Sequence, residues 1–239
     1  MRMAWRVAPV LIGAVFVSAV VGAAENPAKY SDLAKDATPP AMPPLAARAA
    51  EAPSGTLTFY TSRAVFNAAH PGIPLETFVN TNVPPNSVLA CPGPFNSMTN
   101  NGCFSPGDIL PGISVVNTTG GLLVVLTPPF FGVNCVAVGP NLFADNGEMQ
   151  FSPPVQAVGL DLNSNIADTY NIEIFGPAGS LGTTTAPGAI PGIFWGVDTS
   201  SPGGINRITF FNAGAAGELF CNVAFGLAVP VELQTFGVE

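Results

Sequence analysis

Val158-Gly159-Leu160-Asp161-Leu162-Asn163 places apolar side chains at every second position, with Asp161 and Asn163 on the other side. A period of two is that of a half-buried strand: Val158, Leu160 and Leu162 share one face and the polar residues the other. The same reading extends outward. Ile172 and Ile174 point inward while Asn171 and Glu173 point out, and Ile208 and Phe210 oppose Arg207 and Thr209. Half-buried antiparallel strands behave in this way. Over 218–225, alternation puts Leu219, Cys221, Val223 and Phe225 on one face, so Cys221 is expected in the core between two sheets.

Turn signals separate these runs: Gly176-Pro177-Ala178-Gly179, Pro187-Gly188, Pro191-Gly192 and Pro202-Gly203-Gly204. Asp145-Asn146-Gly147 reads as a plain hairpin turn. Helical spacing is confined to 62–69, where Ala64, Val65, Ala68 and Ala69 are expected in one or two helical turns with Ser62 near the N-cap. The expected fold is all-β, a two-layer antiparallel, jelly-roll-like sandwich with one short helix on its rim. Composition agrees: 26 glycines and 25 prolines suit short strands and tight turns, and 48% apolar residues suffice for a core.

The first residues set the compartment. Arg2 and Arg6, an apolar run over 7–22 and Ala23-Ala24-Glu25 form the charged, apolar and small-residue parts of a secretory signal peptide, assigned to 1–24. Residues 25–54, rich in Ala and Pro, read as a linker, 55–228 as the sandwich, and 229–239 as a C-terminal tail. No later apolar run reaches spanning length, so no membrane span is expected in the mature chain. Taking Arg2 and Arg6 from the seven basic residues leaves five against 15 acidic ones, a net charge near −10. That balance excludes a nucleic-acid partner, which requires clustered Lys and Arg. The product is expected to be secreted, periplasmic or held at the cell surface.

In that compartment an even count of cysteines points to disulfides. Of three connectivities, the sequence-local one pairs Cys91 with Cys103 and Cys135 with Cys221. Zinc is the rival, but there is no Cys-x-x-Cys pair, and the only histidine, His70, is distant in sequence from all four.

The order of motifs from 151 to 226 resembles a group of exported bacterial domains often found in proteins that carry a PEP-CTERM sorting signal. The resemblance rests on Val155-Gln156-Ala157-Val158-Gly159-Leu160-Asp161-Leu162, the Phe-Gly-Pro-Ala-Gly-Ser-Leu-Gly turn at 175–182, Phe194-Trp195-Gly196-Val197, 205–210, and the ending Cys221 to Gly226. It implies a lectin-like jelly roll with a role in the envelope or matrix, glycan binding included, and no reaction. It does not extend to the sorting signal, since no Pro-Glu-Pro motif or arginine cluster follows 226.

Catalytic motifs are missing. His70 has no Gly-x-Ser-x-Gly elbow to serve, and a two-histidine zinc motif needs a second histidine. A carboxylate pair for glycoside hydrolysis is compatible with 15 acids, but nothing in the sequence selects two of them. Calcium is the candidate cofactor: Asp161, Asn163 and Asn165, followed by Asp168, offer hard oxygen donors, although the glycine and distal glutamate of an EF-hand loop are absent. The alternative is an Asn/Asp turn bonding its own backbone. For a sugar, Trp195 on a surface would stack on a pyranose ring, with Tyr170 near and Asn171, Glu173 or Asp198 bonding hydroxyls. The alternative places Trp195 in the core. The reading is therefore an exported, non-catalytic β-sandwich protein whose partner is an extracellular glycan or a surface protein. A secreted hydrolase with paired carboxylates and a purely structural adhesion protein are the alternatives.

Overall fold

The structure, a computed structural model, describes residues 55–212 and 217–227. The signal peptide, the linker and the tail assigned from sequence lie outside the described residues. In chain order the strands are β1 (Leu57–Tyr60), β2 (Leu75–Glu76), β3 (Val88–Cys91), β4 (Phe95–Asn96), β5 (Ile113–Asn117), β6 (Leu123–Leu126) and β7 (Ala137–Pro140). Then follow β8 (Gly147–Val155), β9 (Ala157–Ser164), β10 (Asp168–Gly176), β11 (Gly179–Gly188), β12 (Ile193–Thr199), β13 (Ile205–Asn212) and β14 (Glu218–Gly226). One helix, α1 (Arg63–Ala69), follows β1.

All pairings are antiparallel. One sheet runs β1-β12-β9-β14-β7-β6-β3, with β2 also on β14; the other runs β11-β10-β13-β8-β5-β4. Within them, β12-β9-β14-β7 faces β11-β10-β13-β8, and the chain visits the layers in the order that two interlocked Greek keys require. The eight strands β7 to β14 are therefore a jelly roll, and β1 to β6 widen both sheets. The expected all-β sandwich is what forms.

The core lies between the layers. Val158, Leu160, Leu162, Ile172, Ile174, Ile208 and Phe210 are all buried in it, as alternation requires. The larger sheet is also covered on its outer face, by two smaller apolar clusters. For that reason β6 and β7 are buried at every position instead of alternating.

Two sequence expectations are corrected. In β14 the alternation breaks at a bulge between Cys221 and Ala224, where Asn222 takes a positive φ of 50°. The extra residue moves the strand's faces by one. Phe220, Val223 and Phe225 join the central core, whereas Leu219 and Cys221 join a cluster on the outside of the sheet. The Cys135–Cys221 disulfide forms, as does Cys91–Cys103, but the former is buried outside the sheet instead of between the layers. Asp145-Asn146-Gly147 is not a hairpin turn, because it joins β7 and β8, which belong to different sheets. Gly176-Pro177-Ala178-Gly179, by contrast, does close the β10–β11 hairpin.

Helix α1 forms where it is expected, with Ser62 at its N-cap. It lies on the outer face of the larger sheet beside β1 and β12, anchored by Phe66 and His70, which are four residues apart and buried; Ala64, Val65, Ala68 and Ala69 are exposed. The sheet makes the seat. Gly159 and Gly196 are cross-strand partners, and a Cβ on either would lie 2.8 or 2.9 Å from the Phe66 ring.

Glu76 fastens two long connections to this frame. Its buried carboxylate accepts the backbone N–H groups of Phe78 and of Leu110 (2.6 Å). A carboxylate with two backbone donors is satisfied within the protein, so this acid is structural.

Candidate functional site

The sandwich separates the residues that sequence grouped together. Trp195 is not a surface platform: with Val197 it points inward, 4% exposed, between Phe59 (ring centroids 6.4 Å) and Phe210 (6.1 Å). The strand period puts it there, because Phe194, Gly196 and Asp198 take the outer side. Tyr170 is likewise buried, its hydroxyl donating to the carbonyls of Asn163 (2.6 Å) and Gly217 (3.1 Å). Burial, with the Glu218 charge as a lesser cause, raises its pKa well above the ordinary phenol value. Neither residue is available to stack on a sugar.

The calcium set does not converge. Asp161 uses both carboxylate oxygens, accepting from Arg63 Nη2 and from Asn222 Nδ2 at 2.8 Å each. The buried Asn163 amide lies 3.3 Å from Cys221 Sγ. Asn165 accepts the N–H of Gly217 at 2.7 Å, and Asp168 that of Thr169 at 2.7 Å. Asp161, Asn165 and Asp168 thus bond different partners, the bond of Asn165 reaching across 52 residues and that of Asp168 only to the next residue, while Asn163 Oδ1 is buried without a hydrogen bond. Among the described residues no group of three or more His, Cys, Asp or Glu is placed to hold a metal. These residues do not fit a calcium ion.

Asn171 and Glu173 stay on a surface, the outer face of the six-stranded sheet. Strand register lays that face out in rows: Thr185, Asn171 and Phe211; then Thr183, Glu173, Thr209, Glu148 and Val116; then Ser180, Phe175, Arg207, Gln150 and Ser114. The Arg207 guanidinium sits 3.8 Å from the centre of the Phe175 ring, a cation–π stack. Glu148 accepts from Gln150 (2.7 Å) and Thr209 (3.1 Å) and lies 3.7 Å from Arg207. No described apolar cluster covers this face, in contrast to the other sheet. Apart from Glu148, which is buried, it is a half-exposed grid of amide, carboxylate, hydroxyl and guanidinium groups around a stacked ring, repeating every strand, or roughly 4.8 Å.

Asp198 belongs elsewhere, with groups that sequence reading passed over. On the outer face of the larger sheet it accepts the Tyr60 hydroxyl at 2.7 Å and lies 3.1 Å from Nε2 of His70. Arg63, on the same helix as Phe66, also covers the Phe194 ring (4.6 Å to its centre) and donates to the Asn222 carbonyl (2.9 Å). A cleft of about 250 Å³ opens beside them, lined by Arg63, Asn67, His70, Gly72, Ile73, Leu75 and Ala224. The signal available in the sequence was scarcity: His70 is the single histidine, and Arg63 is one of two basic residues from 55 onward.

Burial, then the hydrogen bond to Asp198 and that carboxylate's charge, push the Tyr60 phenol from its usual 10.0 up to about 12. The folded protein thus holds a proton that the unfolded chain has released. The associated stability is complete below pH 10 and is lost as pH rises through 12. Denaturant unfolding over that range is expected to show declining stability, with a shallower decline in Tyr60→Phe. An unchanged slope would mean that the hydroxyl is not bonded to Asp198.

No protein-family model matches this chain, and no curated protein matches it. Among solved structures it is similar to the enzymatically active domain of tailspike protein 4 from bacteriophage CBA120, at 15% identity and a TM-score of 0.26 over 62% of this chain. The match spans 19% of the tailspike chain, too slight a likeness to bear on function. Fold and disulfides define the class: a jelly-roll β-sandwich stapled by two disulfides, which fits an oxidising, extracytoplasmic compartment.

Proposed function

We propose that this chain is an exported, non-catalytic protein of the cell envelope or extracellular matrix, allied to the jelly-roll domains of PEP-CTERM-type secreted proteins, and that it binds an extended carbohydrate across the outer face of the six-stranded sheet. The observation that carries the reading is that face itself: rows of hydrogen-bonding side chains around the Phe175–Arg207 stack. A glycan chain needs this mixture, because its hydroxyls donate and accept while its C–H faces pack on apolar or guanidinium surfaces. The regular strand spacing suits a polymer lying flat across β10, β13 and β8. Binding is independent of calcium, since Asp161, the first of the calcium candidates, is already held by Arg63 and Asn222.

The test is a polysaccharide screen of the disulfide-bonded protein in calcium and in chelator. Saturable binding, equal in both, that weakens about tenfold or more in Asn171→Ala/Glu173→Ala, the loss of two or more hydrogen bonds, is expected. Binding abolished by chelator, or untouched by those substitutions, contradicts the assignment.

One observation favours a hydrolase as the second reading. Glu173 and Glu148 flank Thr209 in a single row, two strand spacings apart, roughly 10 Å between Cα atoms. Carboxyl groups of inverting glycosidases stand about 6.5–9.5 Å apart. Measured turnover of a bound polysaccharide, lost in Glu173→Gln, selects this reading over the first.

A further inference from the structure

We propose that β11 is a dimerisation edge, on which a second copy of this chain pairs strand to strand, antiparallel and centred on Thr184. β11 ends the six-stranded sheet, with β10 as its paired neighbour on one side. Among the described residues no hydrogen bond reaches its backbone from outside that sheet. The other sheet ends are short: β1 and β3 have four residues each and β4 has two, against ten in β11. Unpaired N–H and C=O groups along a long edge are a template for another strand, and proteins that avoid such pairing place charges, prolines or bulges there. β11 has no charged residue. It has a bulge at Leu181, because Ile174 pairs with Gly182 and Phe175 with Ser180, and a proline at 187, which has no N–H to give. These two features close the ends of the edge and leave 182–186 open.

That open stretch selects its own copy. Gly182-Thr183-Thr184-Thr185-Ala186 reads almost the same in both directions. In a two-fold pairing centred on Thr184, Thr183 faces Thr185 of the second copy in two symmetric rows, and Gly182 faces Ala186. Directly opposed threonines stabilise a ladder, and the small residues at its ends do not obstruct it. Moving the centre to Thr183 or Thr185 would carry the bulge or Pro187 into the ladder, so the register is fixed. Charge agrees. The chain has a formal net charge of −8, so two copies approach best through a neutral surface. The carboxylate nearest β11 on the outer face, Glu173 beside Thr183, would stand roughly 14 Å or more from its counterpart, beyond the screening length at physiological salt. The two six-stranded sheets become one continuous sheet, in which the row of Glu173 and Thr183 runs on into Thr185 and Asn171 of the second copy. This pairing stands whether or not that face binds a glycan.

Sedimentation velocity of the disulfide-bonded protein, without glycan and from micromolar to millimolar concentration, is expected to show a reversible monomer–dimer equilibrium. Amide hydrogen exchange over 182–186 is expected to slow as the dimer forms. Thr183 and Thr185 are both exposed on the outer face, so charges placed there leave the fold intact. Thr183→Lys/Thr185→Lys opposes two lysines in each row and is expected to raise the dissociation constant about tenfold or more. Thr183→Lys/Thr185→Glu opposes a lysine to a glutamate in each row and is expected to dimerise again, a result that depends on this register. Circular dichroism checks that both variants fold. The inference is overturned if the protein is monomeric at every concentration, if 182–186 is already protected in the monomer because another segment covers it, or if the two-lysine variant dimerises like wild type.

Discussion

Phe66→Ala is expected to lower the free energy of unfolding by about 3–5 kcal/mol, the range for removing a fully buried phenylalanine. The residue is 0% exposed and packs against Tyr60, His70 and Phe194 at centroid distances of 5.4, 4.9 and 5.7 Å. Two features place it at the upper end. The helix has seven residues, too few to persist without its tertiary anchor. The floor beneath the ring is made of two glycines, so neighbouring side chains cannot collapse to fill the space. Denaturant titration measures the effect, and a loss below about 1 kcal/mol would show that α1 is not held by this ring. Gly159→Ala is the complement: it removes no contact, yet its Cβ would meet Phe66 at 2.8 Å, so it is also expected to destabilise.

Replacing both Cys135 and Cys221 by alanine is the second large effect. The bridge spans a sequence separation of 86 residues and the other bridge 12. The chain-entropy account assigns roughly 4–5 kcal/mol to the long loop and about 3 to the short one. The long bridge also ties β14, in the middle of the larger sheet, to the segment that leads into β7, and it is buried with Val124, Leu126 and Leu219. Its removal leaves the Asn163 amide without the sulfur 3.3 Å away. Unfolding of the two double variants, each against wild type, is expected to show the larger loss for Cys135/Cys221. Equal losses, or the reverse order, would mean that strain or residual unfolded-state structure outweighs loop length.

These two effects arise on the outer side of the larger sheet, the part of the molecule least legible in the sequence. Alternation read β9, β10 and β13 correctly because each keeps a strict period of two with one face in the core. It failed in β14 at a single residue. Asn222 in the left-handed region inserts a bulge, so Val223 and Phe225 after it point inward as alternation has them while Leu219 and Cys221 before it do not. Asn is the residue type other than glycine that most readily takes that conformation, which was the available signal.

Trp195 was legible too, since it shares parity with Val197 and opposes Asp198; an aromatic residue among glycines merely looked exposed. Helix α1 was legible in its position and N-cap, but the spacing of small residues did not point to its anchors, Phe66 and His70. The local pairing of the cysteines was right because both bridges join elements that the fold makes neighbours.

The candidate sites were legible only as single residues. Asn171 and Glu173 were identified as outward residues, but their companions Arg207, Glu148 and Gln150 come from β13 and β8, 21 to 36 positions away in the sequence, and only register aligns them. Tyr60 and His70 meet Asp198 across more than a hundred residues. No local spacing encodes such meetings.

The most direct test of the glycan assignment is a map of backbone amide shifts on adding a polysaccharide that the protein binds. Perturbations concentrated on the outer face of β10, β13 and β8, around Glu173, Arg207 and Gln150, are the predicted result; shifts confined to the larger sheet, or spread with no preference for that face, would contradict it.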